Sequence, residues 1–313
     1  MPDTGVEDPV SVSRDGKTVV RFGKEKINDI PRPVPLDVFL GGSDVYILTR
    51  GTVPLGYDTK LQKPNGEVQI QPATKSGAFV AHFERDGRYA GSVRLDIPFS
   101  AQHLGVFEDG DFLIVGADLS AGSTGDPRLA IVGSNGQLRR LIELKGDVHA
   151  QQEAEGAVKQ KDATALPRFG TGVDFNKSLL GMASRAHIAK NGPNLLLFRP
   201  TNGPVFSISP SGEVRVHALK VKGDYNLFSV KASRDSWIVE YITDVPADKP
   251  AEFHTYAFDP ETDVPLREYF LPAALGFGLA CTEGDEFTFI MADEETNTLK
   301  LVKLAPAAAP KAE

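Results

Sequence analysis

The side chains best suited to chemistry in this sequence are a carboxylate, a guanidinium and two imidazoles. They are Asp37, His103, Arg185 and His187, and each lies near the beginning of a short apolar run. Because alternate residues of a strand share a face, equivalent positions in neighbouring strands would bring these groups together. Such a group could bind an anion, and Arg185 would then supply the dominant positive charge. The alternative is a polar network in which Asp37 neutralises Arg185 and buried water fills the remainder.

A fifth candidate, Asn226, begins a later apolar run and joins the predicted ligand-binding set. Three of the candidates, Asp37, His103 and His187, are residue types that ligate metal ions, but no short-range ligand spacing supports a metal site. The identity of any metal or cofactor therefore stays unknown. The sequence contains no G-x-S-x-G, H-E-x-x-H or P-loop motif, and no catalytic residue is assigned.

The elements that must position these groups are repeated hairpins. In residues 100–146 an apolar run meets the turn Asp109-Gly110 and a second run follows; after a gap, a similar pair of runs flanks Asn135-Gly136. Turns of this type between apolar runs indicate tight β-hairpins. Four short strands with two tight turns form the unit of a β-propeller blade, and the pattern recurs about five times along the chain.

The repeats predict an all-β fold, a β-propeller of four-stranded blades within a single domain over residues 1–304. Five repeats are counted, and a degenerate sixth could lie in one of two insertions, residues 50–77 and 147–181. The last repeat ends after its third strand, at 298–304. Residues 17–22 supply the missing strand and are predicted to close the ring, which would remove both sheet edges. The Ala/Pro-rich tail, residues 305–313, is predicted to be disordered.

Composition narrows the classes of partner and the compartment. The 313 residues carry a formal charge of −8, which argues against nucleic acid or an anionic membrane surface as a main partner. No apolar run approaches the ~20 residues that span a bilayer. The acidic N-terminus is not a signal peptide. The chain is predicted to be a periplasmic or secreted protein without its signal, with a cytoplasmic location as the alternative. Its single cysteine, Cys281, is predicted to be a buried thiol on an inner strand.

A family resemblance appears at the ends of the second strands of the repeats. Three of these strands end in Asp118, Asp244 and Asp293, and third strands end in motifs such as Phe258-Asp-Pro260 and Ser134-Asn-Gly136. This pattern resembles the bacterial NHL-type and TolB-like β-propellers. The resemblance implies a fold, with no activity attached, and a role for the aspartates in organising the following turn.

Two departures from this pattern occur, because the second strands of the first and third repeats end in Arg50 and Arg199. Calcium-dependent lactonases of the same broad architecture place Glu, Asn and Asp residues on the axis. Here only Asp37 and Asn226 correspond to that set, so the match is poor.

The predicted function is a non-enzymatic binding scaffold for a protein, a peptide or a small anionic ligand at the axial face. In propellers this face is made by the beginnings of the innermost strands and the loops around them. The alternative is a metal-dependent propeller hydrolase or lactonase, and the two differ in whether the protein holds a metal ion.

Overall fold

The structure is a computed structural model that describes twelve stretches of the chain. They are residues 10–14, 17–22, 29–118, 127–142, 186–200, 204–223, 225–233, 235–243, 252–271, 279–283, 286–293 and 298–305. These residues form strands and turns only, and the chain divides into two compact units, Met1–Glu143 and Leu144–Glu313.

The first unit contains a hairpin and two four-stranded sheets. The hairpin pairs β1 (Val10–Arg14) with β2 (Lys17–Phe22). The first sheet follows chain order: β3 (Val34–Gly41), β4 (Asp44–Gln62), β5 (Val68–Phe83) and β6 (Tyr89–Arg94). The second does the same: β7 (Ser100–Val106), β8 (Phe112–Ala117), β9 (Pro127–Val132) and β10 (Leu138–Ile142).

The second unit repeats this arrangement in three sheets. The first contains β11 (His187–Asn191), β12 (Asn194–Phe198), β13 (Val205–Ile208) and β14 (Val214–His217). The next contains β15 (Tyr225–Ala232), β16 (Trp237–Thr243), β17 (Phe253–Phe258) and β18 (Pro265–Tyr269). The last contains β19 (Leu279–Glu283), β20 (Glu286–Asp293) and β21 (Thr298–Leu304).

Each of these sheets is an antiparallel meander, which is the blade of a β-propeller, and the predicted all-β propeller class is confirmed. The strand β2 pairs with β1, so the predicted pairing of residues 17–22 with 298–304 stays a prediction. The insertion at 147–181 lies outside the described residues, as does the tail from 306 onward, and the choice between five and six blades stays open with them.

Solid apolar strands, rather than alternating ones, form the centre of the first unit. All six residues of β8 are buried, because both faces of that strand are covered. In the second unit the equivalent positions of β12 and β16 are also buried, and Trp237 packs in the core cluster between their sheets. The apolar runs of the sequence therefore mark strands that are covered on both faces.

A β-bulge interrupts the innermost strand of four of the five described sheets. The pairing shifts by one residue between Pro35 and Asp37 in β3 and between Ala101 and His103 in β7. Corresponding shifts occur in β15 and β19. A bulge reverses which face the following side chains occupy, so simple alternation fails along these strands.

The bulge in β19 explains why one prediction was wrong. Cys281 was expected to be buried, but it is exposed. Leu279 pairs with Phe289, whereas Cys281 pairs with Thr288, the neighbour of Phe289. Paired residues share a face of the sheet, so Cys281 faces away from the side on which Leu279 and Phe289 are buried.

The insertion at 50–77 is an extension of the first blade rather than a separate loop. The long strands β4 and β5 pair from Val45–Phe83 as far as Gln62–Val68, with one irregularity. Residues 63–67 form the turn at the tip of this extension. Residues 54–62 and 68–72 are exposed throughout, and we refer to residues 54–72 as the hairpin arm.

Candidate functional site

Two of the predicted site residues, Asp37 and His103, lie side by side in the first unit. Each is the first paired residue after the bulge of its strand, opposite Leu48 and Val115 respectively. Aligning the two strands on their turns alone would put His103 level with Pro35, because the turns after β3 and β7 differ in length. The bulges occur at equivalent points, and they show that His103 is level with Asp37.

The Asp37 carboxylate connects the innermost strands of the two sheets. Its Oδ2 accepts a hydrogen bond of 2.9 Å from the backbone N–H of Leu104 and lies 3.5 Å from Nδ1 of His103. Its Oδ1 accepts from the N–H of Val38. The other ring nitrogen of His103, Nε2, is buried and has no hydrogen-bond partner among the described residues. The pair therefore fixes β3 against β7, and the described residues leave one imidazole nitrogen without a hydrogen bond.

A cavity of about 410 Å³ opens where these two innermost strands begin. The side chain next to Asp37 in the chain, Leu36, contributes to its wall, as does Ala101, two residues before His103. The other lining residues lie within β4 and β5, in the β6–β7 loop, at the beginning of β7 and just after β8: Arg50, Ser76, Gly77, Ala78, Ile97, Pro98, Phe99, Ser100 and Asp118. This is the end of the blades at which the sequence predicted a ligand site.

Two charged side chains line this cavity, Asp118 and Arg50, and only Asp118 has an oppositely charged partner among the described side chains. Asp118 lies 3.5 Å from the guanidinium of Arg128, so its negative charge is partly offset. Arg50 is exposed, and no described side chain forms an ion pair with its guanidinium. A guanidinium beside apolar walls such as Leu36 and Phe99 can bind a carboxylate with two hydrogen bonds while the apolar part of the ligand is buried.

Sequence reasoning did not assign Arg50 to the site. The available signal was its departure from the family pattern, because Arg50 stands where other second strands end in aspartate, as at Asp118. The strand pairing places Arg50 near the candidate site, because Arg50 pairs with Val34 at the beginning of β3. The replacement of aspartate by arginine at this position, which the third repeat shares at Arg199, is the feature that could have identified Arg50.

The remaining candidates belong to the second unit. His187 is exposed at the beginning of β11, opposite Phe198, and its ring stacks on that phenylalanine with 5.6 Å between centroids. It lies four residues before the turn, as Asp37 and His103 do in their strands. Asn226 is half-buried in β15, opposite Ile242. Arg185 lies outside the described residues, so the convergence of all five candidates stays a prediction.

The innermost strand of the fourth sheet, β15, has a serine at the position that Asp37 and His103 occupy in β3 and β7. Ser229 follows the bulge of β15, pairs with Glu240 and donates a hydrogen bond to Oε2 of that carboxyl group. Burial raises the pKa of Glu240, and the hydrogen bond from Ser229 opposes this rise. The corresponding position thus holds a polar side chain in each of the first four described sheets.

The described part of the chain contains no cluster of side chains that could bind a metal ion. Within it, no three His, Cys, Asp or Glu side chains are grouped so that they could hold a metal ion. The same part contains no helix of the length and apolarity needed to cross a membrane. The metal-dependent alternative stays a prediction, since Arg185 and the neighbouring insertion are not described.

Among known proteins, the chain is similar to solved structures only. No family model and no curated protein matches the chain. Virginiamycin B lyase from Staphylococcus aureus is similar over 86% of this chain and 83% of its own, with 10% identity and a TM-score of 0.38. A Bacteroides fragilis protein described as exported covers 89% of this chain and 92% of its own, with 13% identity and a TM-score of 0.41.

A third similar structure is the Dos1 propeller, which matches 85% of this chain and 63% of its own at 11% identity, with a TM-score of 0.33. At such identities and scores the similarity carries no argument about function. The site must therefore be interpreted from its own residues.

Proposed function

We propose that this chain is a β-propeller binding protein that holds a small amphipathic carboxylate in the cavity at the beginning of β3 and β7. The observation that carries the proposal is the exposed guanidinium of Arg50 at the wall of a cavity that also contains Leu36, Pro98 and Phe99. A ligand with one carboxylate and a compact apolar body satisfies both parts of this surface. A free peptide C-terminus beside an apolar side chain has the same chemistry.

The inner strands around the cavity are fixed before a ligand arrives. Asp37 bonds to the backbone of Leu104, so the beginnings of β3 and β7 are held at one spacing. A site that is already ordered loses less conformational entropy on binding.

The proposed role is binding, because it rests on one charged group and an apolar wall. Ser76 and Ser100 line the cavity, and no hydrogen bond between either hydroxyl and an imidazole is present among the described residues. The metal-dependent hydrolase remains the second candidate from the sequence, and no observation of the structure favours it. A periplasmic or secreted location is part of the proposal.

The experiment compares a carboxylate with its neutral amide. Phenylacetate and phenylacetamide are titrated into the wild-type protein and into Arg50→Gln by calorimetry. We expect phenylacetate to bind wild type, and both the amide and the variant to weaken binding by about 10- to 100-fold, the loss of one charge-assisted hydrogen bond.

The matched control is Arg85→Gln, which removes one exposed positive charge from the β5–β6 turn of the same sheet. It should leave phenylacetate binding unchanged. The proposal is wrong if wild type binds neither phenylacetate nor a short peptide with a C-terminal phenylalanine. It is also wrong if Arg50→Gln binds phenylacetate as wild type does.

A further inference from the structure

We propose a second binding site, independent of the first, in the cavity between the sheets β11–β14 and β15–β18. Its ligand class is a small neutral polyhydroxylated molecule, a sugar or polyol. The site lies at the turns that follow the innermost and third strands of these sheets. The candidate residues of the sequence analysis lie near the opposite ends of the innermost strands. The residues that carry the inference are His217, Asp263 and Trp237.

His217 is a buried imidazole with one satisfied and one unsatisfied nitrogen. Its side chain is 2% exposed, and Nδ1 lies 2.6 Å from Oδ1 of Asp263. Its ring meets the Trp237 ring edge-on, with 4.5 Å between centroids. Nε2 is buried without a hydrogen-bond partner among the described residues. Since buried polar atoms are normally hydrogen-bonded, Nε2 requires a partner that the described residues do not supply.

Asp263 adopts a backbone conformation that a smaller residue would adopt at less cost. Its φ is 59°, and in the other three described turns that join a third strand to a fourth the last turn residue is a glycine: Gly87, Gly136 and Gly212, with φ of 82°, 84° and 83°. The turn at Asp263 is one residue longer, because its N–H donates to the carbonyl of Asp259, four residues back, whereas each glycine N–H donates to a carbonyl three residues back. A non-glycine residue in this region is strained, and such strain persists where the side chain has a role.

In the first unit, neighbouring sheets are joined at this turn by a hydrogen bond between backbone groups alone. There the N–H of Asp96 donates to the carbonyl of Gly136, which joins one sheet to the next. In the second unit the N–H of Ala218 donates to Oδ2 of Asp263, so the carboxylate takes over this link. A glycine carbonyl suffices to join the sheets. The carboxylate adds a second contact, which orients His217.

The cavity beside this pair has a volume of about 300 Å³, and polar side chains dominate its wall. The lining residues are Asn191, Asn194, Ser207, Ser209, Glu213, Val214, Arg215, His217, Trp237, Pro260 and Glu261. The guanidinium of Arg215 is paired with Glu261 at 3.1 Å, and Asn191 accepts a hydrogen bond from the indole N–H of Trp237. The volume is at the lower end of the range for ligand sites.

The balance of charge and hydrogen-bonding groups selects the ligand class. One arginine faces two glutamates, Glu213 and Glu261, so an anion is disfavoured. Serine and asparagine side chains offer both donors and acceptors. A hydroxyl can donate to Nε2 when Nδ1–H is bonded to Asp263, and it can accept from Nε2 when the ring is protonated. A molecule with several hydroxyl groups satisfies this wall in either case.

The experiment titrates glucose, galactose, mannose and myo-inositol at millimolar concentration into the full-length protein labelled with ¹⁵N on its histidine rings. We expect at least one of these probes to bind and to shift the Nε2 resonance of His217. His217→Gln should weaken that binding about tenfold, as the loss of one good hydrogen bond predicts.

The sharper variant is Asp263→Gly, which restores the glycine found in the other turns and removes the carboxylate from His217. It should retain the fold, because glycine suits this φ, and it should weaken binding by a similar factor. Asn194→Leu, which changes the cavity wall without touching His217 or Asp263, should weaken it as well. Either variant keeps the test decisive if His217→Gln fails to fold.

Arg50→Gln separates this proposal from the first, since it should leave sugar binding unchanged while phenylacetate binding is lost. The inference is overturned if none of the four probes binds the wild-type protein, in which case water alone satisfies Nε2. It is also overturned if the probes bind equally well to the folded Asp263→Gly and Asn194→Leu variants.

Discussion

Glu240 is a buried carboxyl group whose protonation should affect stability. It lies in the middle of β16, 2% exposed, with Ser229 as its hydrogen-bond donor. Burial disfavours the charged form and raises its pKa from the ordinary value of 4.5. The folded protein therefore keeps the proton on Glu240 up to a higher pH than the unfolded chain does.

This preference predicts how the stability of the fold changes with pH. A raised folded pKa contributes stability that is complete below the unfolded pKa of 4.5 and is lost as the pH rises through the folded pKa. Glu240→Gln stays neutral, so its melting temperature should exceed that of wild type at neutral pH. The difference should shrink as the pH falls below 4.5, as measured by thermal denaturation across a pH series.

The exposed Glu286, at the beginning of β20, provides the control, because Glu286→Gln removes a carboxylate without changing a buried group. It should melt with the same pH dependence as wild type. A Glu240→Gln variant that is less stable than wild type at neutral pH would show that the buried carboxylate is stabilising, contrary to this account.

At the scale of elements, the hairpin arm is the part of the first sheet that its core does not need. The residues of the arm are exposed along both strands, whereas the core cluster of this sheet contains Ile47, Phe79 and Phe83, nearer its base. Replacing residues 56–72 by Asn-Gly should change the free energy of unfolding by no more than about 0.5 kcal/mol, the range of surface changes.

Denaturant unfolding of the shortened protein checks this, with the matched replacement of Phe79 by Ala as the destabilising control. Phe79→Ala should cost about 3 to 5 kcal/mol, because it removes a buried ring. If shortening the arm were equally costly, the arm would have to be packed against a surface that covers its exposed side chains.

Strands and hairpins could be predicted from the sequence where turn residues and apolar runs determine them. Turns such as Asp109-Gly110 and Asn135-Gly136 identified the hairpins, and the apolar run at 112–115 identified a strand buried on both faces. The bulges were not predictable, because a bulge is a property of pairing between two strands and leaves no residue signature of its own. Asp37 and His103 lie next to each other in the structure, and their shared role in a site stays a prediction.

At the scale of the whole molecule, the question is how the last sheet is completed. It has three strands in the described residues, where the other propeller sheets have four. The prediction that residues 17–22 complete it implies that deleting residues 1–24 exposes a sheet edge and apolar faces. We expect a marked fall in the melting temperature and increased aggregation on heating, measured by calorimetry and light scattering.

Removal of residues 305–313 is the matched control for this deletion, since the Ala/Pro tail is predicted to be disordered and its loss should leave the melting temperature unchanged. An N-terminal deletion that melts as wild type does would mean that the hairpin β1–β2 contributes nothing to closure, and another segment would then have to cover the edge of β21.

The order of strands within the sheets also bears on how the protein is made. Every described blade is built from consecutive strands, so its pairings join residues that are close in the chain. Local pairings form early, and domains emerge from the ribosome N-terminal end first. Each blade can therefore assemble while the next is still being translated. A final strand taken from the N-terminus would have to wait until synthesis ends, which would make the nascent chain most vulnerable to misassembly at its earliest residues.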